Sequence, residues 1–100
     1  MKSVKEILEE REAIYGSYAV QCKIYDDLVK ALGPKLDDCM EPHQTHSLRM
    51  ICTKLARIMN GDSDYVDSWR DIAGYAELTA MELERAAERA TASADEEFSF

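Results

Sequence analysis

An all-α fold, a compact bundle of about four helices ending in a long helical hairpin, is what this sequence predicts. Three observations carry that expectation. Leu48, Ile51, Cys52, Leu55, Ile58 and Met59 recur at the i, i+3, i+4, i+7 spacing of one helix face. The stretch Asp67-Ser68-Trp69-Arg70-Asp71-Ile72-Ala73-Gly74-Tyr75 opens the longest helical pattern and holds the only tryptophan. Gly and Pro, four and two in number, fall mostly where a helix has to stop or start. No strand alternation, internal repeat or low-complexity block competes with this reading.

The first helix is expected from about Val4 to Tyr15. Ser3-Val4-Lys5-Glu6 matches a capping box, in which the serine hydroxyl accepts from an early amide and the glutamate reaches back. Val4, Ile7, Leu8 and Ile14 form its apolar side, and Gly16 can take the left-handed conformation that ends it.

Ser17 is placed to cap the second helix, which should end before Gly33-Pro34. Two apolar stripes run along it. One is Val20, Ile24, Leu28 and Ala31; the other is Tyr18, Cys22, Tyr25, Val29 and Leu32. A helix apolar on two sides is buried on two sides. In a chain this small, that predicts a homo-oligomer.

Residues 34–41 are expected as a loop. Pro42 suits the first turn of a third helix that runs to Asn60-Gly61, with Arg49, Lys54 and Arg57 off its apolar stripe. The fourth helix should span about Tyr65 to Ala90, with Val66, Trp69, Ala73, Ala76, Ala80 and Leu83 as its seam, whose small residues let another helix approach closely and, with the two-sided second helix, predict oligomerisation. Residues 1–93 thus form one helical domain, and residues 94–100 a flexible acidic tail carrying Phe98 and Phe100.

Composition narrows the partners. With 100 residues there is room for one domain, and 46% hydrophobic against 32% charged residues is an ordinary globular balance. A net charge of −8 disfavours binding to long nucleic acid, which needs a basic surface. A small anionic ligand stays open to it, because exposed charges are screened over roughly 10 Å. Cys22, Cys39 and Cys52 fit no zinc spacing, and Cys22 and Cys52 fall on apolar faces as reduced core residues. The charged N-terminus predicts no signal peptide, and no apolar run approaches the roughly 20 residues that span a bilayer. A cytosolic protein without membrane contact is expected.

Several constellations could carry chemistry. Glu6, Glu9 and Glu10 are neighbours on one helix, and Asp64, Asp67 and Asp71 stand near the start of another. Such acids could hold Mg²⁺, and all-α nucleotide pyrophosphohydrolases of the MazG type use Glu-Glu-x-x-Glu followed by Glu-x-x-Asp. Here the third glutamate is misplaced and the later element differs in spacing and type. Acids in a first helical turn also simply complement the helix dipole. His43 and His46 stand i, i+3 without matching ligands and read as exposed residues of a helix start. No metal, cofactor or catalytic residue is therefore assigned.

What remains is a set of aromatic and basic residues. Tyr15 precedes Gly16-Ser17 at a corner, Lys30 lies on the second helix, Arg70 follows Trp69, and Arg49, Lys54 and Arg57 decorate the third helix. A nucleotide needs an aromatic face for its base and a cation with polar donors for its phosphate. Structural roles suit the same residues: Tyr15 as corner packing, Lys30 as a charge near a helix C-terminus, Arg70 as a partner of Asp67 or Asp71.

Three segments carry a family resemblance: Arg11-Glu12-Ala13-Ile14-Tyr15-Gly16-Ser17, Ser47 to Arg57, and Asp67 to Tyr75. Over roughly residues 8 to 83 the chain resembles the phage anti-CBASS cyclic-oligonucleotide sponges. Similar patterns occur in phage proteins grouped loosely with MazG-like helical proteins. The resemblance implies a helical homohexamer in the host bacterial cytoplasm that binds cyclic dinucleotides and cyclic trinucleotides at separate intersubunit sites without cleaving them. CBASS effectors then never meet their activator. It implies that Tyr15 stacks on a base of the dinucleotide, that Lys30 contacts its phosphate and that Ser17 adds a polar contact. Arg70 is implied for the trinucleotide. The alternative is a Mg²⁺-dependent, MazG-like nucleotide pyrophosphohydrolase.

Overall fold

A computed structural model describes residues 1–97. It contains five helices and, among the described residues, no strand: α1 (Val4–Tyr15), α2 (Tyr18–Leu32), α3 (Lys35–Asp38), α4 (Pro42–Asn60) and α5 (Val66–Glu97). The all-α class is as expected, with one more helix than the four predicted. The molecule measures 66 × 34 × 23 Å, drawn out along α5.

α1 starts and stops where the sequence says. Ser3 Oγ accepts the amide of Glu6 at 3.1 Å, and Gly16, at φ +79°, returns its amide to the Glu12 carbonyl at 2.7 Å. Ser17 sits at the N-cap of α2 but makes no side-chain cap bond. Its carbonyl is engaged from across the fold instead, as described below.

Residues 34–41 are not all loop. Pro34 starts a single turn, α3, whose Leu36 is 2% exposed and plugs the space beside α4. The Thr45 hydroxyl donates to the Leu36 carbonyl, and Arg49 pairs with Asp37. One turn carries too little periodicity to show in a sequence; its single buried leucine is what holds it.

α4 is the central element and touches α1, α2 and α5. Its start is set by Glu41, whose amide donates to Gln44 Oε1 at 2.9 Å, with Pro42 in the first turn. Cys52, Ala56 and Ile58 are buried along it. Burial also lifts the Cys52 thiol pKa above its ordinary value. Met59, at the end of the predicted stripe, is 76% exposed.

α2 meets α4 through a face centred on Gln21, which is buried, with Ile24, Tyr25, Leu28 and Val29 half-buried around it. That face lies between the two predicted stripes, so Tyr18, Val20, Cys22, Ala31 and Leu32 are exposed. Cys22 is therefore a surface thiol rather than the core residue expected, and only Cys52 is buried.

α5 packs on its own chain through a register one residue before the expected seam. Its contact with α4 uses Ser68, Ile72, Tyr75, Thr79 and Glu82, which are buried or half-buried. The expected seam, one residue on, mostly faces outward: Val66, Trp69, Ala73, Ala76 and Leu83 are exposed, and Ala80 is half-buried. Hydroxyls and an ion pair replace part of the apolar contact between the two helices. Thr79 Oγ1 donates to Ser47 Oγ at 2.7 Å, and Lys54, 11% exposed, meets Asp71 at 3.0 Å. α5 also continues past Ala90 to Glu97, through Thr91-Ala92-Ser93-Ala94-Asp95-Glu96-Glu97, whose alanines and glutamates favour helix. Ala94–Glu97 of the expected tail are thus helical, and Phe98 and Phe100 lie outside the described residues.

Candidate functional site

Two corners of the chain cross, and the crossing builds the site. Tyr15-Gly16-Ser17 joins α1 to α2, and Asn60-Gly61 ends α4. A Cβ on Gly16 would lie 2.2 Å from the Asn60 carbonyl oxygen, and one on Gly61 would lie 2.2 Å from that of Ile14. Only glycine at both positions lets the backbones approach this closely. The Asp62 amide then donates to the Ile14 carbonyl at 2.6 Å. The Asn60 amide group donates to the carbonyls of Tyr15 and Ser17.

Tyr15 is held in the angle of this crossing. Tyr65 meets its ring edge-on, with centroids 5.8 Å apart and planes at 76°. The negative charge of Asp67 and then Tyr15 itself raise the Tyr65 pKa above its ordinary value. The Arg57 guanidinium carbon lies 4.5 Å from the Tyr15 ring centroid, and that of Arg11 lies 5.5 Å away. These are cation–π distances.

The crossing opens into a groove of about 820 Å³, whose walls include Leu8, Arg11, Tyr15, Ser17, Tyr18 and Arg57. Glu12 also lines it, so two cations face one carboxylate there. Arg57 stands out among the groove residues. Its Nε is buried without a hydrogen-bond acceptor, and among the described residues it makes no ion pair. A half-buried guanidinium with unused donors is suited to an anion, above all to the paired oxygens of a phosphate.

The residues singled out in the sequence therefore separate. Tyr15 and Ser17 share the groove. Lys30 is exposed near the far end of α2, paired with Asp26 at 2.7 Å, and the carboxylate holds its pKa above the ordinary value. Twelve residues of helix from Tyr18 put it roughly 18 Å from the Tyr15 corner. Arg70 is exposed on α5 and lines neither groove. Among the described residues it pairs with neither Asp67 nor Asp71, the latter being held by Lys54. Arg57 and Arg11 are the groove residues that sequence reasoning did not assign. Arg11 could have been found one helical turn before Tyr15; Arg57, 42 positions away, had no local signal.

A second, smaller groove of about 310 Å³ lies between the start of α4 and the middle of α5, beside His43, His46, Tyr75 and Arg85. His43 is half-buried with an unpartnered Nδ1 rather than exposed as expected, and His46 meets Tyr75 edge-on at 6.1 Å. Among the described residues, no three His, Cys, Asp or Glu side chains gather as a metal site would require. No described helix is long and apolar enough to cross a membrane.

Residues 1–83 match a family described as "Domain of unknown function (DUF6378)", and the chain belongs to that family. No curated protein and no solved structure matches it.

Proposed function

We propose that this DUF6378 protein is a phage anti-defence protein that binds cyclic di- and trinucleotide second messengers, holds them intact and so keeps CBASS effectors inactive. It would act in the host bacterial cytoplasm as a homohexamer. The observation that supports this best is the pairing of Tyr15 with the unpartnered Arg57 in the groove beside Ser17. An aromatic ring gives a base its platform, and a guanidinium gives a phosphate two parallel donors.

Arg11 sits one helical turn before Tyr15 and is exposed, so it can leave the ring when a base takes its place. Ser17 supplies a hydroxyl that no cap bond occupies. Lys30 and Tyr15 stand at opposite ends of α2, so they meet on one ligand only when two copies supply them. That requirement agrees with a ligand held between subunits. Arg70 remains the residue proposed for the trinucleotide.

The test is incubation of the purified protein with cyclic di- and trinucleotides, followed by denaturation and analysis of the nucleotide. Depletion from free solution with intact ligand recovered on denaturation supports the sponge. A linear or shortened product makes the protein an enzyme, and absence of depletion overturns the reading.

A further inference from the structure

α5 carries a second apolar face that is largely exposed among the described residues. Val66, Trp69, Ala73, Ala76, Ala80, Leu83, Ala87 and Ala90 follow a strict 3, 4, 3, 4 register over about 36 Å of helix. This register runs one residue ahead of the one that packs on α4, so the two faces lie side by side. Trp69 is 54% exposed, Val66 53% and Leu83 46%. The indole is not loose: its Nε1 donates to the Ser63 carbonyl at 2.9 Å. A fixed, exposed tryptophan in an apolar line has the character of an interface anchor.

We propose that two copies of the chain pair antiparallel along this face of α5. The sequence of the face is complementary to its own reverse. With Ala76 opposite Ala80 of the second copy, Ala73 meets Leu83, Trp69 meets Ala87 and Val66 meets Ala90. Every large side chain faces an alanine, so the two helices can approach closely and interdigitate. A parallel pairing would instead set Trp69 on Trp69 and Leu83 on Leu83, leaving gaps at each alanine layer.

Charge follows the same arrangement. Along the open flank of the face run Arg70, Glu77 and Glu84. Antiparallel pairing brings Arg70 of each copy to Glu84 of the other, and the two-fold axis makes this contact twice. The Glu77 pair near the axis opposes it, which leaves the apolar layers as the main source of affinity.

The length of α5 points to the same occupant. α5 has 32 residues and α4 has 19. Beyond Glu82, residues 83–93 are exposed throughout, and among the described residues only Arg85, at the edge of the second groove, comes near α4. A stretch of helix with so little tertiary contact is marginal in water. In the antiparallel pair this bare half lies against Val66, Trp69 and Ala73 of the second copy, and each copy covers the other's exposed end. The pairing needs no ligand and does not depend on the nucleotide reading.

Mass by sedimentation equilibrium over a range of concentrations tests it, with no nucleotide added. The native chain is expected as a dimer or an even multiple of one. Trp69→Ala and Ala80→Glu should each weaken association at least tenfold while circular dichroism shows the helices retained. Leu78→Glu, exposed on the opposite side of α5, should leave it unchanged. Arg70→Glu should weaken it, and adding Glu84→Arg should restore it. Orientation is read by mixing Ala73→Cys chains with Leu83→Cys chains, both carrying Cys22→Ser and Cys39→Ser. Disulfides between unlike chains support the antiparallel pair. A monomer at every concentration, unchanged association in Trp69→Ala and Ala80→Glu, or disulfides only between like chains would overturn it.

Discussion

Asn60 holds Tyr15 by its backbone: the Asn60 amide group donates to the Tyr15 carbonyl at 3.0 Å and, past Gly16, to the Ser17 carbonyl at 2.8 Å. One side chain thus satisfies carbonyls on both sides of the α1–α2 corner. Asn60→Ala should destabilise the protein by about 2 kcal/mol, since each lost bond is worth about 1 kcal/mol net. Urea denaturation measures this. Asn60→Asp, which keeps the shape and loses the donor, should do no better.

The crossing glycines should be the least tolerant positions. Gly61→Ala sets a methyl against the Ile14 carbonyl and the Tyr15 backbone, where no flexible side chain can give way. A loss of about 3 kcal/mol is expected, at the upper end for overpacking. Gly74→Ala is the contrasting case, because that helical glycine has open space around it. It should stabilise the fold by up to about 1 kcal/mol. Thermal unfolding of the two variants should move in opposite directions.

Arg57 is the sharpest test of the groove. Arg57→Ala should weaken cyclic dinucleotide binding by about 10- to 100-fold, the range of a charge-assisted hydrogen bond. Arg57→Lys should recover only part of this, because lysine lacks the planar fork. Tyr15→Phe should bind nearly as the native protein does, and Tyr15→Ala should not bind. Isothermal titration of the four variants separates the ring from its hydroxyl.

Lys30→Ala and Arg70→Ala address the two ligands separately. Loss of dinucleotide binding in the first and of trinucleotide binding in the second, with the other ligand unaffected in each case, is the expected pattern. Equilibrium dialysis with both ligands reads it directly.

The cysteines give a prediction in pH. Cys22 and Cys39 are exposed and should react quickly with a thiol reagent, whereas Cys52 should react only on unfolding. Burial raises the folded Cys52 pKa above its unfolded value. Its contribution to stability is therefore complete below the unfolded pKa and is lost as pH rises through the folded one. Denaturation midpoints should fall less steeply with alkaline pH in Cys52→Ala than in the native chain.

Much of the fold was legible because its signals are local. Ser3, Gly16, Gly33-Pro34, Pro42 and Asn60-Gly61 fixed helix ends that the structure places at the same residues. The face of α5 was not legible, for a definite reason. Two registers of identical spacing lie one residue apart, and the less apolar one is the face that packs on α4. The real contact includes Ser68, Tyr75 and Thr79, whose value appears only once Ser47 is there to accept the Thr79 hydroxyl. Tyr15 and Ser17 could be picked out because they flank a corner glycine. Arg57 shows in the sequence only as one of three basic residues off the apolar stripe, beside Arg49 and Lys54, because its place over Tyr15 exists only after the two corners have crossed.

α1 has no buried residue. It is fastened at its C-terminal end by the crossing and elsewhere rests lightly on its neighbours. Its amide protons should then exchange with solvent through openings that leave α4 closed, at a free-energy cost well below that of global unfolding. The groove wall that carries Leu8, Arg11 and Tyr15 belongs to this helix. A ligand seated against that wall binds only the closed form, so it would slow exchange along the whole of α1. The least anchored helix is therefore also the one whose exchange would report an occupied groove.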